Sequence, residues 1–272
     1  MELYDTVAYE LSHIVTKRYS TSFSMSSRLF HASIRPHIYA IYGMVRIADE
    51  IVDNYMGEDA AQQLDAFEKA VHDACLVSYS TNPIIHSFAK TARQFDITNE
   101  LLAPFFESMR VDLSAKTFTE KAYRSYIYGS AEVIGLMCLK VFVAGDNSDY
   151  NAQKHAAQAL GAAYQKINFL RDMKADYEAL GRVYFPGVTF ASFDEDDKKA
   201  IITDIEHDMA AAKAGLPALP RSARKAVTTS YTYYGLLLAK LKRTPAETIK
   251  TQRIRIPNIQ KVLFLTKARL HL

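Results

Sequence analysis

Apolar positions recur at three- and four-residue spacing along almost the whole chain, and strict alternation is sustained nowhere. Between 34 and 54, Ile34, Ile38, Ile41, Tyr42, Val45, Ala48, Ile51 and Val52 make a face broad enough for a helix buried on most sides. The same periodicity predicts further helices over roughly 2–19, 58–78, 83–94, 99–113, 119–143, 148–180, 194–213, 218–242 and 246–269. Boundary chemistry agrees with several of them. Thr119 precedes Glu120 and a helical run, Asn147-Ser148 precede the run ending at Leu180, and Gly181 stands where a left-handed C-terminal residue is wanted. Pro186-Gly187 marks a loop, and Pro217 and Pro220 enter the next helix from its N-terminal side, where a missing N–H costs nothing. No linker or repeat divides the 272 residues, so an all-α fold of ten helices in a single domain, 1–272, is expected.

Composition narrows the class. A 49% hydrophobic and 23% charged chain excludes general disorder, and ten glycines with eight prolines are too few for a sheet with many tight turns. No run of 18 uninterrupted apolar residues occurs, and Glu2, Asp5 and Glu10 stand where a secretory leader needs a basic start, so neither a membrane span nor a signal peptide is expected. Cys75 and Cys138 lack metal-ligand spacing and read as buried thiols of a reducing cytoplasm. The net charge of +3 conceals a gradient: from Lys240 to the end, nine Lys and Arg face one acid, Glu247. A solvated helix face and an anionic partner both account for it.

The chemistry lies in two acidic pairs set inside apolar helices. Asp49 and Asp53 are four apart on one face, next to Arg46 and Glu50; Asn168, Asp172 and Asp176 form a second stripe beside Arg171. Like charges at this spacing destabilise a helix by roughly 0.2–0.5 kcal/mol, so a compensating cation is expected. Magnesium suits the pattern, because it prefers oxygen ligands and shares one or two carboxylates with a phosphate group; manganese is a second candidate. A diphosphate would be the anionic ligand, with Arg46 and Arg171 matching its geometry. The acidic run Asp194-Glu195-Asp196-Asp197 reads instead as a solvated helix N-terminus. No G-x-G, G-x-S-x-G or H-E-x-x-H sequence is present, which excludes the corresponding nucleotide, esterase and zinc-protease signatures.

Four segments, in order, resemble the squalene/phytoene synthase family: Tyr19-Ser20-Thr21-Ser22-Phe23-Ser24 with Ile41 to Asp53, Tyr126 to Met137, Tyr164 to Asp176, and Gly181 to Pro186. The resemblance implies an isoprenoid synthase helical bundle with a central cavity, its aspartate motifs on opposing walls. It implies magnesium-dependent head-to-head condensation of two prenyl diphosphates through a cyclopropylcarbinyl diphosphate. By position, Asp49, Asp53, Asp172 and Asp176 would hold metal with Asn168, and Ser20, Ser22, Arg46 and Arg171 would hold diphosphate oxygens. Gln165, Tyr128 and Asp112 would line the reacting end. Glu50 and Glu132 depart from the residues common in the family, and solvent, metal and cavity roles stay open for Glu132. Apolar residues including Phe23, Ile127, Ala131, Val133 and Leu136 would wall a dry cavity or fill the core.

Two geranylgeranyl diphosphates giving phytoene is the preferred expectation, in carotenoid biosynthesis. Farnesyl diphosphate giving dehydrosqualene or squalene is the alternative, with NADPH needed only for squalene. A class I terpene cyclase and a non-catalytic assembly factor of the same fold are competing readings. A cytoplasmic place is expected, with peripheral association at the inner membrane face a further expectation, and no nucleic-acid partner. Arg253, Arg255 and Lys261 would serve either that membrane contact or closure over diphosphate.

Overall fold

The computed structural model describes residues 1–55, 57–114 and 117–256, the side chains of Thr21 and Ser22 excepted. Among the described residues the chain is entirely helical, without a strand. Helices α1 (Glu2–Tyr19), α2 (Thr21–Ser27), α3 (Arg35–Asp53), α4 (Ala60–Leu76), α5 (Pro83–Gln94) and α6 (Asn99–Asp112) build one half. α7 (Glu120–Ile127), a π turn (Tyr128–Glu132), α8 (Val133–Phe142), α9 (Asn147–Leu180), α10 (Glu195–Gly215), α11 (Arg221–Arg243) and α12 (Ala246–Thr251) complete the bundle.

Local chemistry sets the boundaries. Thr119 caps α7 by accepting from the Ala122 N–H, and Asp194 caps α10 by accepting from Asp196 and Asp197, so that acidic run is the helix start it was expected to be. Gly181 ends α9 at φ 65°, the left-handed conformation that suits glycine. The cap of α9 is Asp146, one residue ahead of the expected Asn147-Ser148, and it accepts from the Asp149 N–H at 3.0 Å. Three elements differ from expectation, the first being the run expected as one helix over 119–143, which the π turn interrupts. α2 is an extra short helix, created because the Ser20 hydroxyl accepts from the Phe23 N–H. α12 stops at Thr251, and the chain continues without regular secondary structure through Ile256, burying Ile254 and Ile256. The remainder of the expected 246–269 helix, with Lys261, lies outside the described residues.

Two apolar cores hold the bundle. One joins α3, α4, α5, α6 and α8 around Ile41, Met44, Phe88, Phe105 and Phe106; the other joins α7, α9, α10 and α11 around Ile167, Leu170, Phe193 and Leu241. The run Glu120–Phe142 is long and apolar enough to cross a membrane by length and composition, and it passes through the middle of this bundle. It crosses its neighbours backbone to backbone. A Cβ on Gly129 would stand 2.2 Å from the Pro104 carbonyl oxygen on α6, and one on Gly161 would stand 2.6 Å from the Ala131 carbonyl oxygen. The glycines are required there by contact, and the π turn lies at the crossing.

Candidate active site

A cavity of about 890 Å³ lies between the two cores. Its wall along α3 runs from Ile38 through Ile41, Tyr42 and Val45 to Arg46, and along α9 from Gln153 through Leu160 and Tyr164 to Gln165, Asn168 and Arg171. Phe30, Leu139, Phe142, Leu216 and Leu219 close the apolar end. Beyond the arginines, on the following turns of the same two helices, stand Asp49 with Asp53 and Asp172 with Asp176. Helical periodicity therefore produces a graded channel, apolar first, then cationic, then anionic.

The acidic end gathers carboxylates from three helices. Burial pushes Asp49 up to about 7, with Asp53, Asp112 and Glu50 adding repulsion. Burial likewise raises Asp176 to about 7, helped by Asp172 and Asp53, and raises Asp53 itself. Asp112 on α6 also reaches about 7 through burial, against the opposing pull of Arg182 and a hydrogen bond from Tyr126. Asp53 and Asp176, from opposite walls, thus sense each other and Asp112. No three of the described His, Cys, Asp or Glu side chains converge on one metal-sized point. The donor set nevertheless fits a hard divalent cation: opposed half-buried oxygens whose ionisation is resisted by one another, each able to share an ion with water and phosphate.

Arginines surround these acids. Arg46 Nη2 donates to Glu50 Oε2 at 2.5 Å, Nη1 lies 3.9 Å from Asp49 Oδ2, and the guanidinium sits 4.5 Å from the Tyr19 ring centre. Arg46 Nε is buried with no protein partner, a donor left for a ligand on the cavity wall. Arg171 grips Asp172 with Nε at 2.8 Å from Oδ1 and Nη2 at 2.5 Å from Oδ2. Asn168 Oδ1 accepts from the Tyr234 hydroxyl at 3.4 Å, and Tyr234 stacks on Tyr164 at 3.8 Å. Ser20 lines the cavity beside Tyr19 and Phe23, and Phe23 stacks on Tyr42 at 5.0 Å. The side chain of Ser22 lies outside the described residues.

Several expected placements differ. Tyr128 is absent from the cavity wall and packs on the outer core, near Glu100 and Tyr150. Tyr126, two residues earlier, meets Asp112 instead, donating to both of its oxygens at 2.8 and 3.0 Å. Two residues along a helix face nearly opposite ways, so only Tyr126 of the pair turns toward Asp112. Ile127, Val133 and Leu136 likewise fill cores, while Phe23 and Ala131 do line the cavity. Glu132 faces α9, accepting from Gln158 Nε2 at 3.0 Å. Cys75 and Cys138 are free and half-buried, and burial drives their thiols up to about 11 and about 12.

Sequence reasoning missed Arg182. Buried just past α9, it donates from Nη1 to Asp112 Oδ1 at 3.2 Å and from Nη2 to the Asp112 carbonyl, and its charge also reaches Asp53 and Asp176. Tyr184 lies between this ion pair and Phe169, stacked on that ring at 3.8 Å. An arginine directly ahead of the apolar run Val183-Tyr184-Phe185 was the available signal.

The family model for squalene/phytoene synthase matches residues 16–260. The chain belongs to that family. A 4,4'-diapophytoene synthase of Staphylococcus haemolyticus is 28% identical over 202 residues, covering 74% of this chain and 68% of the relative. A phytoene synthase of Arthrospira platensis is 27% identical over 289 residues, covering 97% and 93%. Among solved structures, a dehydrosqualene synthase in complex with ligand superposes with a TM-score of 0.78 at 19% identity, covering 98% of this chain and 97% of that one. The expected all-α isoprenoid synthase fold is thereby established, and this squalene/phytoene synthase relative is a prenyltransferase of the head-to-head class.

Proposed function

We propose that this prenyltransferase joins two geranylgeranyl diphosphates into phytoene in the presence of magnesium, releasing two diphosphates and two protons. The observation that carries the reading is the graded cavity: about 890 Å³, apolar from Phe30 to Val45, then ringed by Arg46, Arg171 and Arg253 before the aspartates. A hydrocarbon tail with a diphosphate head fits that gradient in one direction only. Relatives bearing the name phytoene synthase align over nearly the whole chain, which supports the C20 substrate.

Asp49, Asp53, Asp172, Asp176 and Asn168 would hold the metal. Bound there, magnesium supplies positive charge that stabilises a departing diphosphate. The free Nε of Arg46, together with Arg171 and Arg253, would bind diphosphate oxygens and orient the head toward the aspartates. Gln165 lies on the wall between tail and head. Tyr126 and Arg182 hold Asp112 in place at the acidic end. After ionisation the allylic cation is attacked by the double bond of the second substrate, one proton is lost as the cyclopropane closes, and a second ionisation, rearrangement and proton loss complete the triene. The apolar wall excludes water, which would quench either cation as an alcohol.

The protein is further proposed to act in the cytoplasm, peripheral to the inner membrane face. Incubation with C15 or C20 diphosphate, with and without NADPH, tests the substrate. A C40 hydrocarbon from the C20 substrate without NADPH is expected; turnover of the C15 substrate alone overturns the chain length, and a monomeric cyclic product overturns condensation.

A further inference from the structure

Two segments that close the apolar end of the cavity form a surface strip without acids; the nearest acids at this end, Asp96 and the pair Asp146 and Asp149 beyond Phe142, belong to other segments. Residues 11–48 and 209–246 contain no Asp or Glu, and the two segments meet: the His31 N–H donates to the Ser222 carbonyl at 2.9 Å, joining the loop after α2 to the first turn of α11. Lys17, Arg28 and Arg35 stand close enough together to depress the His13 imidazole, after its burial. Arg28, Arg221 and Arg224 are exposed, and none of Arg28, Arg35, Arg221 and Arg224 pairs with a carboxylate among the described residues.

Two of these arginines are fastened to the cavity itself. Arg35 donates from Nε and Nη2 to the Phe30 carbonyl at 3.2 and 2.9 Å, and Arg224 Nε donates to the Leu219 carbonyl at 2.9 Å. Phe30 and Leu219 both close the apolar end. The guanidiniums therefore spend one edge on the loops that cap the tail cavity and keep their charge at the surface. Asp49 lies fourteen residues along α3 from Arg35, about 21 Å at the helical rise, which exceeds the Debye length of about 8 Å at physiological salt. The catalytic acids do not neutralise this face.

We propose that the bundle end made by the 28–35 loop and the first turn of α11 docks on a bilayer bearing anionic phospholipid, turning the apolar end of the cavity toward the lipid. Charge complementarity selects the occupant: several cations that no carboxylate pairs, on two acid-free segments, suit a continuous anionic surface, where each Lys or Arg strengthens partition about fivefold. A hydrocarbon product carries no charge for the arginines at the other end to hold, and lipid at this end gives it a favourable exit. That use of the face rests on the prenyl-condensing reading; the docking does not.

The full chain is sedimented with vesicles of phosphatidylcholine, with and without phosphatidylglycerol, in the absence of substrate. Binding that requires phosphatidylglycerol and weakens with salt is expected. R28E/R221E should reduce it at least tenfold, while the charge-matched K199E/R243E, on α10 and at the end of α11, leaves it within about twofold. R28Q/R221Q serves if the reversal impairs folding, judged by thermal unfolding. Turnover of detergent-dispersed substrate should be unchanged in either double variant, and its loss from the wild type would count against the prenyl-condensing reading alone. Equal binding to neutral vesicles, equal loss in both double variants, or binding to heparin without binding to vesicles overturns the proposal.

Discussion

Arg253 closes on Asp172 from the segment after α12, with Nε 2.6 Å from Oδ1 and Nη2 3.0 Å from Oδ2. Arg171 grips the same carboxylate from its own helix, so Asp172 lies between two guanidiniums on the cavity rim. Hydrogen bonds to charged groups are worth roughly 1.5–3 kcal/mol. Arg253→Ala is expected to lower turnover about ten- to hundredfold and to weaken inorganic diphosphate binding by calorimetry. Its melting temperature should move little, since the side chain is 43% exposed.

Asp49→Asn is expected to abolish turnover while stabilising the metal-free protein at pH 8. The folded state raises this carboxyl from 3.8 to about 7, so at pH 8 it holds an ionised group that is easier to ionise in the unfolded chain. An amide removes that cost. Thermal unfolding with a chelator, beside a turnover assay, checks both halves; unchanged turnover would remove Asp49 from the metal set.

Gly161→Ala is expected to lower stability by roughly 1–3 kcal/mol, because the new Cβ would meet the Ala131 carbonyl oxygen at 2.6 Å and cannot displace backbone cheaply. Calorimetry should show a melting temperature lower by several degrees. Gly161 and Ala131 also line the cavity, so turnover should fall with it.

Cys138 stands on the apolar part of the cavity wall, away from the arginines. Cys138→Phe is expected to depress turnover of the C20 diphosphate more than that of the C15 diphosphate, read as the ratio of kcat/KM values. An unchanged ratio would mean that tails do not reach this end.

Burial depresses the His37 imidazole from 6.5 to about 4, where it contacts the hydroxyls of Thr91 at 3.0 Å and Tyr9 at 3.2 Å. Below pH 6.5 the unfolded chain binds a proton that the folded chain refuses until about 4. Stability from this group is therefore present above 6.5 and lost as pH falls toward 4. In His37→Gln that part of the slope should disappear, which urea unfolding across this range would show as a difference from the wild type.

Much of this was legible in one dimension. Periodicity placed α1, α3, α5 and α9 within a residue or two, because each buries one continuous face and carries its own end signals, as Gly181 does. The i, i+4 aspartates beside Arg46 and Arg171 marked the site on both walls, since spacing along one helix survives into three dimensions. Contacts between helices were not legible. That Tyr126 and not Tyr128 meets Asp112, that Arg182 reaches the acids of both walls, and that one helical run opens into a π turn over Gly129 follow from how α6, α7 and α9 cross. The local sequence determined which residues share a face; only the packed structure decided which face meets which, because rotation and approach are set by side chains arriving from distant parts of the chain.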